Sequence, residues 1–409
     1  MTSGRPILAL AAADAISLTG TRLSMVAIPW LVLTMTGDPV LTGLAGFAEM
    51  LPYVVAKALG GPLVDRLGAR CIAIVADLAS AAAIALIPLL HLMGLLGIAT
   101  ILPLVALLGA TRGPADGAKY SMVPAVAAIG AVPLERVTGI MGVIERLAST
   151  VGAAIAGALV ALLGPAVALS VTAAAFGISA LIVAFGLSAA ASPAAGAHNG
   201  YLADLREGWR WFRRDAVLVG LVVMIASTNF LDNAYSSVLL PVWAEAHGNV
   251  ALLGLLFAAF SGASMVGSIL ATALAGRLPR LPVYVVAYLL TGAPRFAVFA
   301  FDTPLPAALA VLVSGGFASG FLNPILGAAM FERIPPTLTG RVSALVNALC
   351  WTLIPLGGLA GGALITVVGL PATFACFGLA YLAVTLLPLA VPRFREFADR
   401  PVLPASTVA

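Results

Sequence analysis

Long apolar runs follow one another along this chain with only short polar breaks between them, from Ile7 almost to the C-terminus. A helix needs about 20 residues to cross the hydrocarbon core of a bilayer. Twelve stretches reach that length, near 7–34, 40–60, 71–94, 98–122, 137–162, 166–188, 216–243, 250–275, 281–300, 304–330, 341–367 and 371–390. Lipid is the solvent that suits them. The chain is 61% hydrophobic and 9% charged, where soluble domains carry about 25% charged residues, and a water-soluble fold would lack the polar surface to cover itself. Inside lipid every backbone N–H and C=O must be paired within the segment, which dictates helices, and the alternating pattern of a membrane barrel is absent. The expected fold is an all-α polytopic membrane protein of twelve transmembrane helices.

Arg5 before an apolar run resembles the start of a signal peptide, but the run is too long for a cleaved core and another span follows, so it reads as the first helix. Basic residues then orient the spans. With the N-terminus inside, Arg5, Arg66, Arg70, Arg136, Arg206, Arg210, Arg213, Arg214, Arg277, Arg280, Arg333, Arg341, Arg393, Arg395 and Arg400 fall in or beside cytoplasmic segments. The external loops carry Asp38, Glu245 and Asp302 and no Lys or Arg. The remaining six of the 21 basic residues lie within spans. This asymmetry predicts an N-in, C-in topology in the cell's plasma (inner) membrane.

The longest connection, 191–215, starts rich in Ala, Ser, Pro and Gly and ends Asp204-Leu205-Arg206-Glu207-Gly208-Trp209-Arg210-Trp211-Phe212-Arg213-Arg214. Its mixture of aromatic and basic residues predicts a helix at the inner membrane surface. The linker separates an N-terminal six-helix bundle (1–190) from a C-terminal one (216–392), with a cytoplasmic tail at 393–409. A repeat supports the division. At an offset of 205 residues, Arg136/Arg341, Val137/Val342, Gly152/Gly357, Gly157/Gly362, Ala158/Ala363 and Leu159/Leu364 are identical pairs, each copy opening the fifth span of its half. Parallel halves of this kind place a substrate site between them at the membrane midplane.

Several function classes fall away. A net charge of +4, scattered along the chain, does not suit nucleic-acid binding. Cys71, Cys350 and Cys376, like the three histidines, are too dispersed for a disulfide framework or a metal site. No nucleotide loop, metal-ligand cluster or nucleophile–base pair is present, so neither an enzyme nor an ATP-driven pump is expected, and no cofactor beyond a proton gradient as energy source.

Between spans 2 and 3 stands Gly61-Pro62-Leu63-Val64-Asp65-Arg66-Leu67-Gly68-Ala69-Arg70. Gly61 suits close helix approach and Gly68 a tight turn, while Asp65 is placed to pair with an arginine or a helix end. This stretch resembles the G-x-x-x-D-R-x-G-R signature of the major facilitator superfamily, with the last arginine displaced by one place. The resemblance implies a cytoplasmic gate motif at Gly61, Asp65, Arg66, Gly68 and Arg70. Ala27-Ile28-Pro29-Trp30-Leu31-Val32-Leu33, Gly113-Pro114-Ala115, Leu205-Arg206-Glu207-Gly208-Trp209 and Gly340-Arg341-Val342 further resemble the bacterial drug:proton antiporters, a group that includes multidrug and siderophore exporters. One departure stands out: span 5 reads Gly152-Ala153-Ala154-Ile155-Ala156-Gly157 where such antiporters carry a Gly-Pro-x-x-Gly-Gly stretch.

Charges inside spans are costly and therefore functional candidates. Arg112, Asp116 and Lys119 share one helix face, so Asp116 can pair with either neighbour. Lys57, Asp77 and Lys119 are read as snorkelling to the inner surface, and Arg146 as pairing with a carboxylate of another helix. Asp14, Glu49 and Asp232, with Glu145 in reserve, are the proton-coupling candidates, because a carboxylate taken out of water holds a proton more readily. Arg22, Arg112, Asp116, Asn229, Asn233, Arg295 and Asn323 are the substrate-cavity candidates. The asparagines serve equally as helix glue. In the resembling family spans 1, 4, 7 and 10 line the central cavity. Here they are mainly Ala, Leu, Val, Gly and aromatic, which suits a lipophilic or amphipathic partner better than a sugar. The expectation is a monomeric, proton-driven exporter of lipophilic or amphipathic small molecules, in contact with membrane lipids. A lipid, lysophospholipid or siderophore carrier of the same fold, and a non-transporting scaffold or sensor, remain open.

Overall fold

The computed structural model describes residues 4–60, 63–64, 67–188, 201–248, 250–274, 279–334, 339–386 and 389. Among them every regular element is helical. The first half runs through α1 (Arg5–Thr36), α2 (Pro39–Leu59), α3 (Ala69–Leu92), α4 (Ile98–Ser121), α5 (Leu134–Leu163) and α6 (Pro165–Gly186). After a linker helix, Tyr201–Phe212, come α7 (Ala216–Ala246, with a π turn at Tyr235–Leu239), α8 (Val250–Ala273), α9 (Arg280–Ala300, interrupted at Gly292) and α10 (Leu305–Arg333). Last are α11, in two segments (Thr339–Trp351 and Ile354–Val368), and α12 (Leu370–Leu386). Among the described residues ten helices are long and apolar enough to cross a membrane, and α12, at 17 residues, is a shorter apolar one.

Local chemistry sets the turns. Gly37, at a left-handed φ of 63°, ends α1, and the Asp38 carboxylate then accepts hydrogen bonds from the N–H of Val40 (2.7 Å) and Leu41 (3.4 Å), starting α2. Gly68, at φ 85°, makes the turn into α3, a conformation open to glycine and strained for other residues. Beside it the Arg70 guanidinium donates to the carbonyl of Ala184 on α6 at 2.5 Å. Gly61, Asp65 and Arg66 of the same motif lie outside the described residues.

The helices gather into two compact bodies. The first comprises Met1–Ala197, Asp232–Ala258 and Ile354–Leu370; the second comprises His198–Leu231, Ala259–Leu353 and Pro371–Ala409. Parts of α7, α8 and α11 thus join the first six helices, and glycines explain why. A side-chain carbon on Gly43 of α2 would overlap the Gly358 carbonyl of α11, and one on Gly362 would overlap the Pro39 carbonyl. A carbon on Gly157 of α5 would likewise overlap Gly254 of α8. All these contacts lie toward the helix ends remote from the arginine-bearing loops. Gly157 and Gly362 are repeat partners, so the 205-residue offset is realised as equivalent packing: α5 on the start of α8, α11 on the start of α2.

In the second body Phe212 of the linker helix is buried with Leu218 and Val222 of α7, Ile334, and Val342, Leu345, Val346 and Cys350 of α11. Asp215 starts α7 by accepting from the N–H of Val217 and Leu218, and Arg333 at the end of α10 pairs with its other oxygen at 3.1 Å. Deeper in, the Tyr284 hydroxyl donates to the Thr385 carbonyl at 2.8 Å.

Candidate functional site

The first body buries a connected set of charges between α2, α3, α4 and α6. Its geometry starts from glycines on α4. A side-chain carbon on Gly109 would overlap the Glu49 carbonyl, and one on Gly113 would stand 2.7 Å from the Tyr53 carbonyl. Helices α2 and α4 therefore touch backbone to backbone. This contact brings Glu49, Tyr53 and Lys57, at i, i+4 and i+8 of α2, alongside Arg112, Asp116 and Lys119 of α4.

Asp77 of α3 is the hub. Its carboxylate is 0% exposed and lies 2.7 Å from Arg112 Nη1 through one oxygen and 2.7 Å from Lys119 Nζ through the other. The Ser179 hydroxyl of α6 donates to that second oxygen at 2.7 Å. The Lys119 contact is an ion pair rather than a well-directed hydrogen bond. Arg112 Nη2 also bonds Asp116. The Tyr53 hydroxyl donates to the other Asp116 oxygen at 3.2 Å, and Lys57 Nζ donates to the Tyr53 hydroxyl at 3.1 Å. The Phe176 ring of α6 covers the Arg112 guanidinium at 4.6 Å. Ser80 and Thr111 bridge α3 to α4 at 2.8 Å. Within the buried core, two carboxylates balance two cations, as burial of charge demands.

Glu49 stands outside that balance. It is 6% exposed, and among the described residues its carboxylate makes no hydrogen bond or ion pair. The charge it feels is that of Arg112. Asp14 of α1, partly exposed, lies within the electrostatic reach of Lys119, Asp116 and Arg112 without bonding any of them.

The remaining candidates are placed as follows. The pairing of Arg112 with Asp116 is as the helical spacing predicts. Lys57 is exposed, but Asp77 and Lys119 do not snorkel: both are enclosed because they complete each other's charge. Arg22 lies against Gly152 of α5, whose missing side chain makes room for it (Arg22 Cβ would be 3.1 Å from an added carbon). Glu145 is exposed and within electrostatic reach of Arg22. Asn229 donates to the Cys350 carbonyl at 3.0 Å, next to the interruption of α11. The Asn233 side-chain carbonyl accepts from the Gly358 N–H at 3.2 Å. Asp232 is half-buried on the same turn of α7. Arg295 is buried among the rings of Phe260, Phe296 and Tyr381, 4.9 to 5.6 Å from their centroids. The side chains of Asn323 and Arg146 lie outside the described residues.

Tyr53, Ser179 and the Gly109/Gly113 pair were not among the sequence candidates. Tyr53 carried a readable signal, four residues from both Glu49 and Lys57. Ser179, one hydroxyl in an apolar span, carried none.

The packing at Gly109 is testable. Gly109→Ala forces α2 and α4 apart and is expected to cost about 1–3 kcal/mol, the usual penalty of overpacking. At Gly117 nothing stands within 4 Å, and Gly117→Ala is expected to be neutral or stabilising by up to ~1 kcal/mol. Thermal unfolding of the two detergent-solubilised variants measures the contrast. Equal midpoints would refute the close contact.

The sequence profile of the Major Facilitator Superfamily matches residues 10–231 and again 222–407. The multidrug efflux pump Tap of Mycobacterium tuberculosis (strain CDC 1551 / Oshkosh) is 33% identical over 397 residues, covering 94% of each chain. Tap of Mycolicibacterium fortuitum is 30% identical over 400 residues, covering 97% of this chain and 98% of its own. Among solved structures, the nucleoside transporter NupG aligns with a TM-score of 0.75 at 13% identity, over 95% of this chain and 99% of its own. A bacterial homologue of the human lysosomal transporter Spinster, inward-facing and unoccupied, aligns at 0.68 and 15% identity over 97% of both chains. At these identities the two structures speak for the fold alone.

Proposed function

Because the chain belongs to the Major Facilitator Superfamily, and is thus a multi-pass membrane transporter and not an enzyme, we propose that it exports lipophilic or amphipathic small molecules in exchange for protons. The substrate class is supported by the relatives, which are named multidrug efflux pumps and align over nearly the full length. Proton exchange rests on one observation, the buried Glu49 carboxylate that makes no hydrogen bond or ion pair among the described residues, beside a network whose other buried charges are matched. The cost of keeping such a group charged depends on whether a cation or water faces it. A rearrangement that changes the distance to Arg112 therefore changes how readily Glu49 takes a proton, and this is what coupling requires. Asp14, Asp232 and Glu145 remain the alternative carriers.

The architecture proposed is twelve spans, N-in and C-in, with bundles 1–190 and 216–392 that rock about a midplane site, as a monomer. In this reading the glycine contacts of Gly43, Gly157 and Gly362 close the external side, and transport requires them to part. Gly157→Leu then penalises the closed arrangement by about 1–3 kcal/mol, a roughly 5- to 150-fold loss of that state. Turnover should fall by a similar factor while substrate binding changes little. Wild-type turnover in this variant would remove the gate role.

Transport in proteoliposomes with an imposed pH gradient, against a panel of lipophilic cations, antibiotics and lysolipids, tests the function. Gradient-dependent movement of the cations or antibiotics is the expected result. Movement of lysolipids alone, or movement indifferent to the gradient, would overturn the reading.

A further inference from the structure

The linker helix was read from sequence as a surface element, and the structure gives it two unlike faces. Phe212 is driven into the core of the second body, which fixes the opposite face outward. Arg206 and Arg210 lie on that face and are exposed, as are Arg213 and Arg214 just past the helix end, while Trp209, whose ring packs against Phe212 at 5.7 Å, is still 40% exposed. Trp209, Arg210, Arg213 and Arg214 line an open hollow of about 280 Å³, just below the ~300 Å³ at which drug-sized pockets begin. Helix α7, a membrane-crossing helix, starts at Ala216, two residues beyond Arg214, so the hollow sits at headgroup level.

Two ordinary reasons for such a cluster fall short. The end of a helix attracts cations, but its partial charge is about half a unit, and three arginines exceed it. The local acids do not cancel them either. Asp215 is already engaged by Arg333 and two backbone N–H groups. The side chains of Asp204 and Glu207 lie outside the described residues, and even both, fully charged, would leave Arg206, Arg210, Arg213 and Arg214 in excess. Guanidinium groups match phosphate oxygens in pairs, and an exposed Trp beside them anchors at the membrane–water interface.

We propose that the Trp209, Arg210, Arg213 and Arg214 hollow is a binding site for the phosphate headgroup of an anionic phospholipid, tying the second body to one membrane surface. Each arginine near an anionic surface strengthens binding roughly fivefold, and three together on the order of 100-fold.

The test uses the purified full chain, delipidated in neutral detergent and titrated with phosphatidylglycerol or phosphatidylcholine under native mass spectrometry. Wild type should retain phosphatidylglycerol in preference to phosphatidylcholine. R210Q/R213Q/R214Q should weaken phosphatidylglycerol by about 100-fold, and Arg213→Gln alone by about fivefold. R210K/R213K/R214K keeps the charge but loses the paired donors, and should bind more weakly than wild type and more tightly than R210Q/R213Q/R214Q. R393Q/R395Q/R400Q removes three arginines elsewhere and should bind as wild type. The proposal is overturned if phosphatidylcholine binds equally well, if the tail variant loses as much as the linker variant, or if inorganic phosphate displaces the lipid at equal concentration. Since all the arginines changed in the linker are exposed, folding should survive, and a circular-dichroism melt of each variant verifies it.

Discussion

Glu49→Gln is expected to abolish export driven by a pH gradient while leaving substrate exchange across the membrane intact. Glutamine has nearly the shape of glutamate and cannot take up or release a proton. Groups positioned to carry a proton contribute about 100-fold or more to the steps they serve, so gradient-driven export should fall by at least that factor. Counterflow, in which labelled substrate exchanges for unlabelled with no gradient, should stay within about threefold, since it needs only the substrate site and the conformational change. Asp14→Asn, Asp232→Asn and Glu145→Gln provide the comparison. Asp14 is partly exposed and has several of the network's charges around it, and Glu145 is exposed, so neither is enclosed as Glu49 is. Full gradient-driven export in Glu49→Gln would transfer the coupling role to one of these three.

The largest loss of stability is expected at Asp77. Its two oxygens receive Arg112, Lys119 and Ser179 in a fully enclosed place. Asp77→Asn leaves Arg112 with Asp116 but strands Lys119, 1% exposed, without a counter-ion. Breaking a buried pair on one side costs about 3–5 kcal/mol, much of it from the cation left behind. Removing that cation as well should recover most of the loss. Thermal unfolding of D77N, K119M and D77N/K119M forms the cycle, with the double variant expected to be more stable than D77N alone. Strict additivity of the two single losses would mean that Lys119 and Asp77 do not depend on each other. Ser179→Ala removes one hydrogen bond to the same carboxylate and should cost far less, about 1–2 kcal/mol.

Much of the fold was legible because lipid imposes a strong rule. Apolar length predicts a span, and each predicted stretch is occupied by helix among the described residues, ten of these helices being long and apolar enough to cross a membrane, while the stretch at 341–367 is split into two segments. The turn residues were equally readable: Gly68 takes the positive φ expected of it. Helical spacing found the Arg112–Asp116 pair because i and i+4 are neighbours on any helix. It could not find the partner of Lys119. Asp77 lies on another helix, and which face of α3 meets which face of α4 depends on side-chain packing along the whole contact. Read by depth alone, Asp77 and Lys119 looked like residues near the surface. The asparagines show the same limit. Asn229 and Asn233 could be seen as polar residues in a span, while their attachment to the α11 backbone follows from where α11 is interrupted, beside Pro355.

The amino-acid sequence by itself determined that this chain crosses a membrane many times as helices, with arginines gathered in alternate connections between its apolar stretches, and that its halves repeat. These are consequences of solvation and of local geometry, which each segment feels alone. Only the tertiary structure decided which buried charges are matched. Charge matching is a property of several helices at once, set by glycine contacts such as Gly109 on Glu49 that fix the distance between backbones. From that arrangement Asp77 emerged as the hub, Lys119 as its dependent, and Glu49 as a buried carboxylate with nothing to pair with among the described residues.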